Sequence, residues 1–412
     1  MELYKRENYL KKVRGFYHAA DIIKVITGVR RCGKSSLMQL IAQELTEAGV
    51  PDEAMIFINL DKREYRKIKT ADQLDELIIG FPRAEGITYL FIDEVQNVKD
   101  FEEVINAYRE SGDYSIFITG SNSYLLSGEL ATKLTGRYIE IEMFPLTFDE
   151  YEQMKAFYNK PIASNPAVEL NGFILEGGFP RAIQFDSLAD KRRYTESVVS
   201  EIFEKDIRRR VKIKNKEAFD AVRRFIINNF GATVSINSLT EAMNKSGMKI
   251  TRATVAKYVS VLTDAKVLYE CDRFDMKSKR ALKGEKKYYL SDLSFYFCDN
   301  TDNRINYGPV LENIVCFYAK SRGYSVSIGR IGNLECDFIL RDSEMDYAYV
   351  QVAYTIAASA ETEEREYRPL EMIRDNYPKY LMTTDYLLQK RGGIKHVNIM
   401  DFIEDAKEFG AD

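Results

Sequence analysis

The stretch GVRRCGKS, Gly28 to Ser35, has the make-up of a phosphate cradle. Its glycines let backbone N–H groups come close to an anion, its lysine brings a positive charge, and its serine hydroxyl is a hard oxygen ligand. The apolar run Ile22 to Ile26 precedes it as a strand, and SLMQLIAQEL follows as a helix whose positive end adds attraction. The ligands this spacing predicts are ATP and Mg2+. Lys34 is expected on the β- and γ-phosphates and Ser35 on magnesium, with Gly28, Cys32, Gly33 and Ser36 around the phosphates and Arg30 and Arg31 bracing the loop. Further along, Tyr89 to Ile92 runs into Asp93 and Glu94, an apolar strand ending in two carboxylates. Asp93 is suited to orient magnesium and its water, and Glu94 to polarise the attacking water. The strand Ser115 to Thr119 ends in TGSNS, where Thr119, Ser121 or Asn122 is placed to sense the γ-phosphate, Asn122 being counted with the nucleotide contacts. Arg137 is either an arginine finger, for its own nucleotide or that of a neighbouring subunit, or an exposed structural arginine.

A second constellation lies near the C-terminus. Glu312 falls in a helical pattern, Glu335 and Asp337 open a strand, and Gln351 lies in the next. That order resembles the PD-(D/E)xK nuclease core, in which carboxylates hold magnesium and a lysine two residues after the last of them orients the attacking water or stabilises the developing charge. Here that position is Ala353, whose methyl neither orients water nor stabilises charge, so the metal site reads as degenerate and cleavage as disfavoured. Two basic segments, Lys205 to Lys216 and Lys277 to Lys287, stand out in an acidic chain. With a helix that starts at Thr251 and offers Arg252, Thr254 and Lys257, they suit phosphate contacts with DNA. Few of these side chains suit base reading, and such charge runs also occur as plain solvated faces.

Four segments position these groups. Residues 1–146 alternate short apolar runs with helical patterns, as βαβ units around a parallel sheet do. Residues 147–214 turn helical and read as a lid. Residues 215–300 give three helices and a hairpin, a winged helix, and residues 301–412 an α/β domain with a restriction-endonuclease-like core. The expected class is thus α/β multidomain. A chain of 412 residues with 45% apolar content supports several cores. A net charge of −4 gives no global field toward nucleic acid or membrane, so any polyanion site is local. Five scattered cysteines without a CxxC pair and two histidines exclude zinc fingers and argue against a disulfide framework. The charged N-terminus and the lack of any long apolar run predict a cytoplasmic protein without membrane contact.

The stretches GVRRCGKSSLM, LFIDEVQ, ITGSNSYLLSGEL, LTGRYIEIEMFPLTFDEY, GGFPRA, KKYYLSDLSF, LENIV and YVQVAY resemble those of bacterial and archaeal AAA-type ATPases with a DUF4143 C-terminal region. The resemblance spans nearly the whole chain. It implies an ASCE-type P-loop ATPase domain, a winged helix and a PD-(D/E)xK nuclease-like tail. Helicase-loader and archaeal initiator ATPases are similar in the first domain only. Three readings of function follow: an ATPase coupled to a DNA- or partner-binding tail, a slow ATP-dependent switch or scaffold, and an ATP-regulated nuclease, the last disfavoured by Ala353. A finger acting in trans would require a homo-oligomer.

Overall fold

Three short runs, IKVITG, TYLFID and YSIFIT, have every residue buried, which only the centre of a parallel sheet covered on both faces provides. The computed structural model describes residues 2–82, 85–120, 136–208, 213–278, 280–299 and 304–410. It divides into two compact units, Met1–Phe144 with Asp264–Lys266, and Pro145–Thr263 with Val267–Asp412.

In the first unit, β1 (Ile23–Gly28), β2 (Met55–Asn59), β3 (Thr88–Asp93), β4 (Tyr114–Thr119) and β5 (Tyr138–Met143) form one sheet in the order β2-β3-β4-β1-β5. Every pairing is parallel, so all five C-terminal ends lie along one edge. Ile23, Val25, Ile58, Leu90, Ile92, Ile116 and Ile118 pack one face against Leu74 and Ile78 of the helix Ala71–Ile79 and Val104, Ile105 and Tyr108 of the helix Phe101–Ser111. Across the other face Phe57, Phe91 and Phe117 stack at 4.4 and 4.7 Å, and the Lys24 ammonium closes the row 4.5 Å from the Phe117 ring. The helix Lys34–Glu47 buries Leu37, Met38, Leu40, Ile41 and Leu45, each worth about 1.5–3 kcal/mol when fully buried. That burial anchors the helix whose first turn carries Lys34 and Ser35.

The second unit begins with the helix Phe148–Phe157, held at its start by a capping box of Thr147 and Glu150. The helices Pro166–Glu176 and Leu188–Glu201 follow. The GGFP break expected within the lid is a lock: Gly178 N donates to Asp292 Oδ2 at 2.6 Å, and a Cβ on Gly177 would overlap the same carboxylate. Two of the stretches that carry the family resemblance therefore hold each other. Next come the helices Lys216–Asn228, Ile236–Lys245 and Arg252–Asp264 with β6 (Thr233–Ser235), β7 (Leu268–Asp275) and β8 (Arg280–Leu290), β8 pairing antiparallel to both β6 and β7.

Residues 215–300 and 301–412 are not separate bodies in the structure. The C-terminal strands β9 (Ser325–Ile331), β10 (Leu334–Arg341), β11 (Tyr347–Val352), β12 (Lys379–Thr383), β13 (Lys390–Arg391) and β14 (Ile394–Asn398) continue the same sheet, in the order β13-β14-β12-β11-β10-β9-β7-β8-β6. The seam is the parallel pairing of β7 with β9, Arg273 opposite Ile328 and Asp275 opposite Arg330. The helices Tyr307–Ser321 and Ala360–Met372 accompany these strands, and Tyr367 and Leu370 of the latter pack with Cys336, Ile339 and Leu381. Among the described residues no helix is long and apolar enough to cross a membrane.

Candidate functional site

The loop after β1 turns back sharply. Gly28 has φ +137°, Arg31 φ +70° and Gly33 φ +112°. Gly28 has to be glycine on a second count, because a Cβ there would overlap the Met143 carbonyl oxygen of β5 and stand 2.9 Å from Cys32 Sγ. The helix from Lys34 starts at Gly33 with neither a side-chain cap nor an acidic residue in its first turn, which leaves its positive end to an anion. Lys34 is buried and donates to the carbonyls of Gly28 (2.9 Å) and Val29 (3.1 Å), so its ammonium lies inside the curve of the loop. Ser36 is half-buried and Arg31 exposed. Arg30 stands 3.7 Å from Asp61, and the carbonyl of buried Cys32 accepts from Arg6 at 3.0 Å.

Because β1, β3 and β4 end at one edge, the loop meets Asp93 and Thr119 there. Asp93 Oδ2 accepts from Ser35 Oγ at 2.7 Å and from Asn59 Nδ2 at 2.8 Å, while its Oδ1 accepts from Thr119 Oγ1. Thr119 Oγ1 in turn accepts from Glu94 N at 3.0 Å. Glu94 has φ +58°, a left-handed conformation that costs a non-glycine residue about 1–3 kcal/mol and that collects at functional sites. Its buried carboxylate takes a hydrogen bond from Gln96, and burial raises its pKa against the lowering pull of Lys34 and Arg30. A hydroxyl and a carboxylate 2.7 Å apart are the oxygen donors magnesium prefers, and the cradle beside them has backbone amides and an ammonium for phosphate. The residues present fit Mg2+ and a nucleoside triphosphate.

Of the residues expected at this site, the structure brings together Gly28, Gly33, Lys34, Ser35, Asp93, Glu94 and Thr119. Ser121 and Asn122 lie outside the described residues. Arg137 is not brought in, and its expected reach to its own nucleotide is corrected. It precedes β5, its carbonyl takes the amide of Ile23 at the start of β1, and its guanidinium bonds Asn106 at 3.0 Å and stands 3.6 Å from Glu110. Since Ile23 faces Tyr138 and Gly28 faces Met143, Arg137 is a full strand from the loop, about 17–20 Å at ~3.3 Å per residue. Asn59, Gln96 and Arg6 join the site without belonging to either sequence motif. Asn59 alone carries a signal, a polar residue closing the apolar run MIFIN, but only the register opposite Asp93 gives it meaning.

The C-terminal constellation also converges. Glu312 comes from the helix Tyr307–Ser321, Glu335 and Asp337 from β10, and Gln351 from β11. A bulge between Cys336 and Ile339 re-aims Asp337, whose Oδ2 accepts from Val352 N at 2.8 Å and whose N–H reaches Gln351 Oε1 at 3.4 Å. Ala353 follows β11 and gives its amide to Met382 O, and Lys320 sits over the Tyr269 ring. The lysine among them is Lys287 of β8. Among the described residues no His, Cys, Asp and Glu cluster is arranged to hold a metal ion.

Among the described residues, several cations of both basic segments are paired with neighbouring carboxylates. Lys205 pairs with Glu201 at 2.6 Å, and Arg208 with Glu204 and with Asp220 at 3.4 Å. Lys286 pairs with Glu270 and with Asp272 at 3.3 Å, leaving Lys277 and Arg280 exposed. Thr251 caps the third helix through Thr254 N, Arg252 bonds Asn237 at 2.8 Å, and Lys257 is exposed; Val255, Tyr258, Val259 and Leu262 are buried as their spacing predicts.

A profile described as an AAA domain matches residues 20–152, and one for a domain of unknown function, DUF8612, matches residues 168–298. The latter stands where the resemblance had pointed to a DUF4143 region. An uncharacterized protein of Haemophilus influenzae is 34% identical over 405 residues, covering 97% of this chain and 98% of that protein. One of Methanocaldococcus jannaschii is 29% identical over 359 residues, 85% of this chain and 78% of that protein. Among solved structures the chain is similar to the Walker-type ATPase of Pyrococcus abyssi, with TM-score 0.50, 14% identity, and coverage of 72% of this chain and 95% of that one. That likeness is one of fold.

Proposed function

The chain belongs to one family with the Haemophilus influenzae protein and carries an AAA domain, and on that premise we propose that it is a magnesium-dependent ATPase whose nucleotide cycle is coupled to a DNA- or partner-binding C-terminal region. The observation that carries this reading is the meeting of Lys34, Ser35, Asp93, Glu94 and Thr119 at one sheet edge. Lys34 exchanges the carbonyls of Gly28 and Val29 for β- and γ-phosphate oxygens. Ser35 and Asp93 hold magnesium, which when bound neutralises charge on the phosphates. Glu94 accepts a proton from the attacking water, and a base whose pKa is raised by burial is better matched to neutral pH. Thr119 ties the Asp93 carboxylate and the Glu94 backbone amide to the end of β4 and is the γ-phosphate sensor.

A slow switch is the second reading, favoured by one observation: Gln96 engages the Glu94 carboxylate, so the base is not free to act until that bond yields. For the tail, the three helices and β6–β8 support a winged helix, and Glu312, Glu335, Asp337 and Gln351 with Ala353 support a degenerate PD-(D/E)xK-like core. Arg252, Lys257, Lys277 and Arg280 are its DNA-facing cations. The deciding experiment measures phosphate release with and without duplex, single-stranded and branched DNA, beside Lys34→Ala and Glu94→Gln. A DNA-dependent rate lost in both variants is expected. Stoichiometric nucleotide retention with no release favours the switch, and Lys34→Ala with full ATP affinity refutes both. Should duplex bind, Lys277→Ala with Arg280→Ala flattens the salt dependence; binding insensitive to salt refutes the DNA reading.

A further inference from the structure

The ammonium of Lys287 lies 2.7 Å from Glu335 Oε1, 3.2 Å from Glu312 Oε2 and 3.9 Å from Asp337 Oδ1. The lysine is 5% exposed, so these contacts are made almost out of water. It does not come from the strands that bear the carboxylates. It rides on β8, and it reaches them because β8 pairs with β7 and β7 runs parallel beside β9.

The surrounding donors complete a closed arrangement. Arg273 Nη2 bonds Glu335 Oε2 at 3.0 Å while its Nη1 holds Glu285, Tyr289 Oη donates to Glu312 Oε2 at 2.8 Å, and Val352 N donates to Asp337 Oδ2. Gln351, which has no charge to offer, bridges Asp337 N to Glu366, itself paired with Arg365. Burial alone would pull the Lys287 pKa down, and Glu312, Asp337 and Glu335 more than reverse this and raise it. A buried carboxylate group of this kind needs a cation, and a protein supplies one either as a bound metal or as a side chain.

We propose that Lys287 is the resident cation of this site, its ammonium occupying the place among Glu312, Glu335 and Asp337 that a divalent metal takes in a metal-dependent hydrolase. The inference deepens the degenerate-nuclease reading of the same residues and rests on it for the comparison with a metal site. A lysine that served cleavage would leave the carboxylate oxygens turned to a metal; here those oxygens face the ammonium. The tail then binds no divalent cation at this place and cuts no phosphodiester, and its hairpin is held to the C-terminal strands by charge as well as by backbone pairing.

The test titrates manganese(II) chloride into the nucleotide-free full-length protein and reads free Mn2+ by electron paramagnetic resonance. Wild type is expected to take up no manganese that Asp337→Asn removes. Lys287→Ala is expected to bind one ion per chain, lost on adding Asp337→Asn, and to melt at a higher temperature with manganese than without it. Stoichiometric binding by wild type that depends on Asp337, or manganese-dependent DNA cutting lost in Lys287→Ala, overturns the proposal and leaves the nuclease-like reading standing. A folded Lys287→Ala that binds no metal overturns both. If Lys287→Ala does not fold with or without manganese, the neutral set Lys287→Met, Glu312→Gln, Glu335→Gln and Asp337→Asn decides. Its cooperative folding supports the mutual dependence of these charges, and its failure to fold overturns it.

Discussion

Gly28 and Gly49 both lie in the first unit and both have positive φ, +137° and +93°, yet only Gly28 is pressed against backbone. Alanine at Gly49 meets nothing within 4 Å, so its cost is conformational, about 1–2 kcal/mol. Alanine at Gly28 bears the same conformational term and also drives its methyl into the Met143 carbonyl oxygen, a rigid part of β5, with Cys32 Sγ 2.9 Å away. Overpacking against immovable neighbours adds about 1–3 kcal/mol, for a total of about 2–5 kcal/mol. At roughly 2–4 °C per kcal/mol for a unit of this size, Gly28→Ala is expected to lower the melting temperature by about 10 °C and Gly49→Ala by about 4 °C. Differential scanning calorimetry of the two variants without nucleotide separates the terms. Melting temperatures within 2 °C of each other, a margin of roughly 1 kcal/mol or less, would show that β5 does not press on the loop, and the argument for glycine at Gly28 would fail.

Glu94→Gln is expected to keep ATP binding and lose hydrolysis; since burial raises the Glu94 pKa, wild-type turnover should fall as pH drops through a value above the ordinary carboxylate range, and a midpoint at or below that range counts against Glu94 as the base. Burial lowers the Lys24 pKa to about 7, so between pH 7 and the ordinary lysine range the unfolded chain holds a proton the native state lacks, and stability rises with pH across that window. Lys24→Met should remove the rise, read as melting temperature against pH; an unchanged slope rejects the assignment. Asp292→Ala leaves the amides of Gly178 and Ser294 without their acceptor, a loss of about 2–5 kcal/mol seen by urea unfolding, whereas Asp292→Asn retains one and loses less; equal effects contradict the lock.

The phosphate loop was legible because its chemistry is contiguous: a strand, eight residues and a helix carry it without reference to the rest of the chain. Asp93 and Glu94 were legible as well, since they close an apolar run and the ends of parallel strands gather at one edge, whereas spacing left Thr119 open beside Ser121 and Asn122. Asn59 and Gln96 were not, because their roles depend on register and on the turn after β3, which spacing does not reveal. Spacing could not choose between the finger and the structural reading of Arg137 for a related reason: lying before a strand rather than after one puts it at the far edge, and that depends on where β5 begins. Lys287 was the largest omission. In the sequence it is one more charge in a basic run, and only the pairing of β7 with β9 brings it to the carboxylates.

That pairing bears on how such chains can be cut and recombined. A break near residue 300, natural on the segment pattern, would strip β7 of its neighbour and expose a row of backbone donors and acceptors to any other strand in solution. The halves so produced would be prone to cross-associate rather than fold as tidy modules. By the same reasoning, an exchange of tails between relatives succeeds only if the hairpin travels with the strands it completes, and inheritance of the two as one block is what the sheet itself enforces.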